Sequence, residues 1–349
     1  MRDEQVSLYV WGKVLSGWTS VEIIDSLEAL SPTFALSYSD RALEVDGALR
    51  ISPGDQCCVR IGGQTVITGY VDDSELEESA TSRSLSVSGR SRTCDLVDCS
   101  VPQQPSEWLD ASLDTIASDL CAPFGISVSV QAPVGAPFVR FAVEPGETVI
   151  ECISRAARER GVMLQSSSTG TLVLSSVGAR SAPAALERGV NVLSAQLSLS
   201  VAERFSEVRL LSQSDGEDGL FNKPAAQASA AARDANIRRH RPLVLVSDCG
   251  ESQDKLKERA LWEVSSRAGR GSRLSVTVRG WGSGGSLWRP NAHVRVVHDW
   301  LGLNTSMLIA SVRLSLDEGG TLTELELCPA GAFAPEPVAA KAKPESTWP

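Results

Sequence analysis

The sequence predicts a mainly β protein with α+β inserts, and three observations support this. Apolar and polar residues alternate over many short segments, which is the period of a half-buried strand. Two stretches, one in the first third and one in the last third, repeat the order strand, turn, strand and acidic segment. Helical periodicity is confined to the regions that separate or interrupt these stretches. We therefore expect antiparallel barrels or sandwiches, with smaller α/β domains inserted between their segments.

Composition limits the possible functions. The 349 residues are enough for about two to four compact units, and 42% hydrophobic and 22% charged residues are typical of a soluble globular protein. The net charge of −10 argues against a general nucleic-acid binder, because such binding depends on neutralising phosphates. It suits a surface that must not adhere to DNA. The first residues, MRDEQVSLYVWGKV, lack an apolar signal-peptide core, and no run reaches the ~20 apolar residues that span a bilayer. We expect a protein made in the cytoplasm without membrane insertion.

The first β module occupies residues 55–100, after three predicted strands at 8–10, 20–26 and 33–39. Residues 57–61 alternate between a core face and a polar face, and Gly62-Gly63 then turns the chain. Residues 66–71 form the returning strand. The acidic residues 72–78 are predicted to be a solvated hairpin tip, and alternation resumes at 84–88. No catalytic group lies in this module.

An α/β insert follows. Apolar residues at helical spacing predict a helix over 113–120, ended by Pro123 and Gly125, and a second helix over 147–160, ended by Gly161. A strand is predicted at 126–130 and a hairpin at 162–176.

The second module begins with the strand over 193–201, whose leucines, alanine and valine alternate with serines and a glutamine. A helix is predicted over 252–268, and strands resume from 273 to 328. Setting the two modules side by side matches Pro290 with Pro53 and Asn291 with Gly54. Further along, LIASV is matched with VITGYV, and Phe205 is set against Phe34. The two modules share few identical residues, so the repeat is inferred from the order of strands and turns alone.

Several motifs imitate chemical sites. Residues 280–285 satisfy G-x-G-x-x-G, but no helix follows to receive a phosphate, so a flexible loop is favoured. His293 and His298 fall on opposite sides of a strand and cannot share a metal. The acidic segment lacks the ligand spacing of a calcium loop. We therefore predict no catalytic, cofactor-binding or metal-binding residues, no cofactor and no enzymatic activity.

The eight cysteines include the adjacent pair Cys57-Cys58 but form no C-x-x-C, and no histidine lies near a cysteine pair. Buried free thiols in a reducing compartment are favoured over a disulfide or zinc framework.

The ordered set of segments resembles the baseplate hub proteins of Mu-like contractile-tailed bacteriophages, the late control protein D-like, tail-tube-like hub family. The residues that carry the resemblance are SGWTSVEIIDSLEALSPTF, IGGQTVITGYVDD and SGRSRTCDLVDCS in the first third, and LDTIASDLCAPFGISV and GETVIECISRAARERGVMLQSSSTGTLVL in the middle. In the last third they are RFSEVRLLSQ, ERALWEVSSRAGRGSRLSVTVRGW and LWRPNAHVRV. These segments lie in order within residues 16–330, although no single one is diagnostic.

The resemblance implies two tail-tube-like antiparallel β-barrels per chain plus two smaller α/β domains. The implied domains are a first barrel at 1–98, an α/β insert at 99–186, a second barrel at 187–215 and 272–330, a small α/β insert at 216–271, and a flexible tail at 331–349. It also implies a homotrimer that adapts the sixfold tail tube to the threefold central spike, contacts other baseplate proteins, and lets DNA pass without sequence-specific binding. The protein would lie in the virion tail baseplate after assembly in the bacterial host cytoplasm.

Five residues are candidates for a channel-facing or interface role. Asp72, Asp73 and Glu75 could repel DNA in a central channel. Trp281 and Trp288 could anchor an interface, since tryptophan is enriched in interface hot spots, or could pack in the core.

Two alternative functions remain open from the sequence. The same fold would serve as the hub of a phage-derived bacteriocin or a secretion-type contractile injection machine. A tail-associated cell-wall hydrolase would need a carboxylate pair or metal site, and none is recognisable at the required spacing.

Overall fold

The computed structural model describes residues 5–40, 51–80, 82–101, 105–212, 228–247 and 252–337. The strands up to the insert are β1 (Val6–Val10), β2 (Lys13–Ser16), β3 (Ser20–Ser26), β4 (Ala29–Asp40), β5 (Gln56–Ile61), β6 (Gln64–Glu78) and β7 (Arg83–Ser91). Those of the insert and of the segment after it are β8 (Glu107–Ala111), β9 (Val128–Val130), β10 (Phe138–Ala142), β11 (Met163–Ser166), β12 (Leu172–Ser175), β13 (Arg180–Ser181) and β14 (Leu186–Glu187). The remaining strands are β15 (Val192–Leu199), β16 (Glu207–Ser212), β17 (Ala228–Arg233), β18 (Pro242–Ser247), β19 (Ser272–Arg279), β20 (Gly282–Ser283), β21 (Ser286–Leu287), β22 (Ala292–His298), β23 (Leu303–Asp317) and β24 (Gly320–Cys328). The α-helices are α1 (Cys94–Asp98), α2 (Leu113–Cys121), α3 (Val149–Glu159) and α4 (Gln253–Arg270).

A 14-stranded sheet dominates the larger of two compact units, which comprises Met1–Leu197 and Leu274–Leu327. Its main order is β15-β19-β24-β23-β3-β4-β7-β6-β5-β1-β2; off this path, β22 pairs with β23, and the short strands β13 and β14 pair with β22. Strands of both predicted modules share this sheet, because β3 pairs with β23 from Ser26↔Ser311 to Val21↔Leu316. Their apolar faces also share one core. The mainly β class is confirmed, but the two modules are joined rather than separate.

The first module follows the predicted alternation with one correction. In β5, Cys57, Val59 and Ile61 are buried while the residues between them are partly exposed. The prediction of a hairpin tip at 72–78 is wrong, since these residues are the second half of the 15-residue strand β6 and pair with β7. Charged residues are rare in strands, but in this half of β6 their side chains point into solvent, so they do not prevent the backbone from pairing with β7. The segment is solvated, as expected, without being a loop.

The insert has its own core, in which α2 and α3 pack with β9 to β12. Both helices lie close to the predicted positions. Thr148 caps α3 with a capping box, accepting from the Glu151 amide while the Glu151 carboxylate accepts from the Thr148 amide. Gly125 takes the left-handed conformation that ends the short helical turn after α2.

The smaller unit comprises Ser198–Arg273 and Cys328–Pro349. Helix α4, predicted at 252–268, covers a three-stranded sheet in the order β17-β16-β18. Strand β16 therefore belongs to this sheet, which corrects its predicted place in the second barrel. Phe205 precedes β16, so setting it against Phe34 of β4 was also wrong. The predictions for residues 213–227 and for the tail after residue 337 lie outside the described residues.

The repeat itself is confirmed at the level of the backbone. Gly54 (φ 90°) and Asn291 (φ 60°) both take the left-handed conformation after a proline. The Gly54 amide donates to the Val71 carbonyl, and the Asn291 amide donates to the Ile309 carbonyl, each at 2.8–2.9 Å. Val71 and Ile309 are counterparts, 238 positions apart, so the match of LIASV with VITGYV was out of register.

Candidate functional site: a polar sheet face

The larger unit exposes one polar face of its long sheet. Residues directly opposite one another on neighbouring strands point to the same side, so the registers define the face. One row joins Asp73, Ser88, Ala35, Glu22 and Ser315 across five strands. Hydroxyl and carboxylate side chains continue the face along these strands, at Glu75, Glu77, Ser86 and Ser37. They extend it onto β24 and β19, at Glu324, Glu326, Ser275 and Thr277.

Carboxylates outnumber cations on this polar face, and its Arg313 is paired. Arg313 contacts Glu22 at 2.8 Å and approaches Glu324 to 4.0 Å. Such exposed pairs contribute little to stability, but they reduce the positive potential that the arginine alone would offer to a phosphate. The face therefore combines hydroxyls with a surplus of negative charge.

The predicted channel-facing acids differ in their surroundings. Asp73 and Glu75 lie exposed on the polar face. Asp72 lies beside a bulge, where it accepts from Arg90 Nε at 2.7 Å, and Arg90 also donates to Asp98 of α1 at 2.8 Å. Asp72 is thus partly neutralised by a partner. Their role in a channel stays a prediction.

Trp281 and Trp288 are 1% and 4% exposed and pack in the core of the larger unit. The Trp281 indole donates to the Ser315 carbonyl at 3.0 Å, which fixes its orientation. These contacts correspond to the core-packing alternative for both residues. The exposed tryptophans of the described chain include Trp11 and Trp300, which the sequence analysis did not single out.

The glycine segment at 280–285 is a small hairpin of β20 and β21 rather than a flexible loop. It borders a groove on the side of the β5–β6 turn, where Gln64 Nε2 donates to the Gly285 carbonyl at 2.9 Å. The short strand β21, rather than a helix, follows Gly285.

The described residues contain no group of three or more His, Cys, Asp or Glu side chains that could hold a metal. On β22, His293 is exposed and His298 is buried, which confirms their opposite orientation. Seven cysteines lie in the described ranges as thiols rather than as disulfides, and five of them are buried. Burial raises the pKa of the Cys57, Cys94, Cys121 and Cys152 thiols to about 12, so these thiols stay protonated.

A polar cavity lies between β3, the β11–β12 hairpin and the segment before β22. Asp25, Arg180 and Arg289 line it together with serines of the hairpin. Burial raises the pKa of the Asp25 carboxyl to about 6, although the positive charges of Arg289 and Arg180 act to lower it. Burial also lowers the pKa of the Arg289 guanidinium. Sequence alternation gave no signal for this cluster, because its members come from three distant segments.

The raised pKa of Asp25 predicts a pH-dependent stability. The folded chain binds this proton more tightly than the unfolded chain between about pH 4 and 6. Relative to an Asp25→Asn variant, which cannot titrate there, the free energy of unfolding of the wild type should fall as the pH rises through this window. Urea denaturation of both proteins at pH 4, 5, 6 and 7 measures the difference. A difference that is constant over this range would contradict the assignment.

Asn291 is a structural residue that links the second module to the insert. Its side chain is fully buried, and its Nδ2 donates to the Ser176 carbonyl at 2.8 Å while its Oδ1 accepts from the Gly178 amide at 2.5 Å. Further polar neighbours are Gln165 and Ser175. The match with Gly54 in the repeat drew attention to Asn291, but it gave no indication of the buried hydrogen bonds of its side chain.

Comparisons with known proteins agree with this fold. Four family models match successive parts of the chain: Mu phage baseplate assembly protein GpP-like, N-terminal (5–91); baseplate hub protein gp44-like, second domain (93–176); tail protein NMB1110-like, third domain (204–261); and Mu phage baseplate assembly protein GpP, fourth domain (252–336). The chain is 32% identical to baseplate hub protein gp44 of Escherichia phage Mu over 339 residues, 94% of this chain and 88% of that protein. The chain belongs to this family of phage baseplate hub proteins.

Two solved structures extend the likeness over nearly whole chains. The 43 kDa tail protein of prophage MuSo2 from Shewanella oneidensis is 35% identical, with a TM-score of 0.84 over 95% of this chain and 99% of that chain. The tail protein from Neisseria meningitidis MC58 is 29% identical, with a TM-score of 0.79 over 95% and 98% of the two chains. The relatives matched over nearly whole chains are thus a baseplate hub protein and two tail proteins. Within the described ranges, no helix combines the length and the apolar character needed to cross a membrane.

Proposed function

We propose that this hub-family protein forms a homotrimeric ring in the tail baseplate, where it adapts a sixfold tail tube to a threefold central spike and surrounds the channel for DNA. The observation that carries the proposal is the repeated β module. Each chain supplies two copies of the β5–β6–β7 arrangement, the second being β22–β23–β24, in one continuous sheet. Three chains would then present six similar modules. A trimer of two-module chains can meet a hexamer on one side and a trimer on the other.

The polar face supports a position against the channel. DNA that passes through a ring must not stick to its wall, and nonspecific DNA binding depends on lysine and arginine contacts to phosphate. The face offers hydroxyls and carboxylates instead, and its Arg313 is engaged by Glu22. A lining of this kind repels the phosphate backbone without reading sequence. We propose Asp73 and Glu75 as lining residues on this basis.

The partners follow from the same geometry. The tail tube protein, the central spike protein and other baseplate proteins would contact the ring, in the virion, after assembly in the host cytoplasm. Within the family, gp44 is a baseplate hub protein of phage Mu, and the Shewanella relative is a prophage tail protein. These relatives favour a phage tail over a bacteriocin or secretion-type injection machine. Nothing in the polar face favours a hydrolase.

Static light scattering after gel filtration tests the trimer. At micromolar concentration the molar mass should be three times that of the 37.1 kDa chain. A stable monomer or dimer under these conditions would contradict the proposed function.

A further inference from the structure

The polar cavity of the larger unit contains two guanidinium groups whose hydrogen-bonding capacity is mostly unused. Arg180 belongs to β13, and Arg289 lies just before β22. Among the described residues, Arg289 donates one long hydrogen bond, to the Thr65 carbonyl at 3.4 Å, and the side chain of Arg180 donates none. Neither forms an ion pair with a described carboxylate. Since a guanidinium carries five N–H donors, most of these donors remain for a ligand or for water.

The two positive charges lie close enough to repel each other. Burial lowers the pKa of the Arg289 guanidinium, and the charge of Arg180 lowers it further. Asp25 acts in the opposite direction, but it is not within ion-pair distance of either arginine. Like charges held together without a counterion raise the free energy of the fold, and a bound anion would relieve this repulsion.

Asn291 fixes the segments that carry these arginines before any ligand arrives. It follows Arg289 by two positions, and its buried side chain accepts from the Gly178 amide, two positions before Arg180. The same side chain donates to Gln165 Oε1 at 3.3 Å, and Gln165 lines the cavity from the β11–β12 hairpin. Strand β13 also pairs with β22. A ligand would therefore bind without first ordering these groups, which favours affinity.

Asp25 places a carboxyl group where the strand pattern requires an apolar side chain. It follows Val21 and Ile23 on the core-facing side of β3, and both of these residues are 1% exposed. It lies opposite Val312 of β23, which is also buried. A carboxylate at such a position costs free energy, because it loses hydration. Strand packing does not account for a carboxyl here, and departures of this kind are expected at functional sites.

We propose that this cavity binds one small tetrahedral oxyanion, inorganic phosphate or sulfate, between the guanidinium groups of Arg180 and Arg289. The planar fork of a guanidinium matches a pair of oxyanion oxygens, and serines of the hairpin add neutral hydrogen-bonding groups. The cavity volume of about 190 Å³ corresponds to about six waters at about 30 Å³ each, enough for a hydrated ion but not for duplex DNA. Because every lining residue belongs to one chain, the site does not depend on the proposed ring.

Protonation of Asp25 would control the affinity of this site. Burial raises the pKa of Asp25 to about 6, while Arg289, Arg180 and the Ser26 amide act to lower it. The β11–β12 hairpin adds no charge, since residues 163–175 are uncharged, and Val312 on β23 is apolar. The carboxylate would repel an anion, so the ion binds the protonated form. The protonated fraction falls about tenfold between pH 5 and pH 7, and the apparent affinity should fall by the same factor.

Isothermal titration calorimetry with sodium sulfate tests the site, with ionic strength held constant by sodium chloride. Sulfate stays a dianion over this pH range, so only the protein titrates. The wild type should bind one sulfate per chain at pH 5 and bind it about tenfold more weakly at pH 7. Asp25→Asn, which removes the carboxylate, should bind at pH 7 as tightly as the wild type at pH 5. Saturable heat is the readout, because sulfate stabilises folded proteins in general through its exclusion from their surface.

Arginine variants locate the bound ion. Arg180→Gln, at an exposed position that should not affect folding, is expected to weaken sulfate binding by roughly tenfold or more through the loss of charge-assisted hydrogen bonds. Arg289→Gln should have a similar effect. Arg295→Gln is the matched control, since Arg295 is exposed on β22 outside the cavity, and it should leave the affinity unchanged. Far-UV circular dichroism verifies that each variant is folded.

Three results would overturn this inference. The first is a wild type that takes up no sulfate saturably at either pH. The second is binding that Arg180→Gln reduces no more than Arg295→Gln does. The third comes from competition at pH 5, where inorganic phosphate should displace sulfate and a short DNA duplex at equal phosphate concentration should not. Displacement by the duplex would show that the arginines hold a polymer phosphate at the surface and not a free ion in the cavity.

Discussion

Asn291→Ala is expected to lower the free energy of unfolding by roughly 3 kcal/mol or more. The change leaves the buried Gly178 amide and Ser176 carbonyl without their partner, and each orphaned group costs about 1–3 kcal/mol. Alanine at a φ of 60° adds about 1 kcal/mol, since a side chain without a local hydrogen bond is disfavoured in the left-handed region. Urea denaturation at pH 7 measures the loss.

One further variant separates the backbone strain from the lost hydrogen bonds, and a second variant serves as a control. Asn291→Gly removes the same hydrogen bonds but relieves the backbone, so it should be less destabilising than alanine by about 1 kcal/mol. Asn304→Ala is the surface control, since Asn304 is exposed and its side chain accepts from the exposed Arg295, and it should change the stability by less than about 0.5 kcal/mol. A loss below about 1 kcal/mol for Asn291→Ala would show that this residue does not hold the insert to the second module.

Reversing the charge of the polar face is expected to create a DNA-binding protein. Asp73→Lys, Glu75→Lys and Glu77→Lys together move the net charge of each chain from −10 to about −4 and concentrate the change on one surface. Fluorescence anisotropy with a duplex oligonucleotide at 50 mM salt should then show binding at least roughly tenfold tighter than that of the wild type, and the gain should disappear by about 200 mM salt.

The matched control puts the same charge elsewhere. Asp254, Glu258 and Glu203 are exposed and belong to the smaller unit, which does not contain the polar face, so replacing them with lysine should increase DNA binding much less. Equal gains from both triple variants would mean that total charge, not the face, governs contact with DNA. That result would remove the support that the polar face gives to a channel.

Local patterns predicted the strands well where one face is buried. The alternation at 57–61 and the helices α2 and α3 followed directly from the period of their apolar residues. The acidic half of β6 was mistaken for a hairpin tip, because its side chains meet water and only its backbone pairs with β7. Strand propensity gives little guidance when a strand presents charges to solvent.

Pairing between distant segments had no local signal. Strand β3 meets β23 nearly 300 residues later, and Asp25 meets Arg289 for the same reason. The repeat suggested that two modules exist, but only the registers show that they share a sheet. Strand β16 fell within residues 187–215 of the implied second barrel, but it pairs with β17 and β18 instead, because nearness in sequence does not determine which sheet a strand joins.

Images of the purified oligomer by electron microscopy test the central claim most directly. Three chains that each contribute two modules should give class averages with a threefold outline, six peripheral lobes and an open centre. A filled centre, a twofold outline or an open string of subunits would contradict a ring that surrounds the path of DNA.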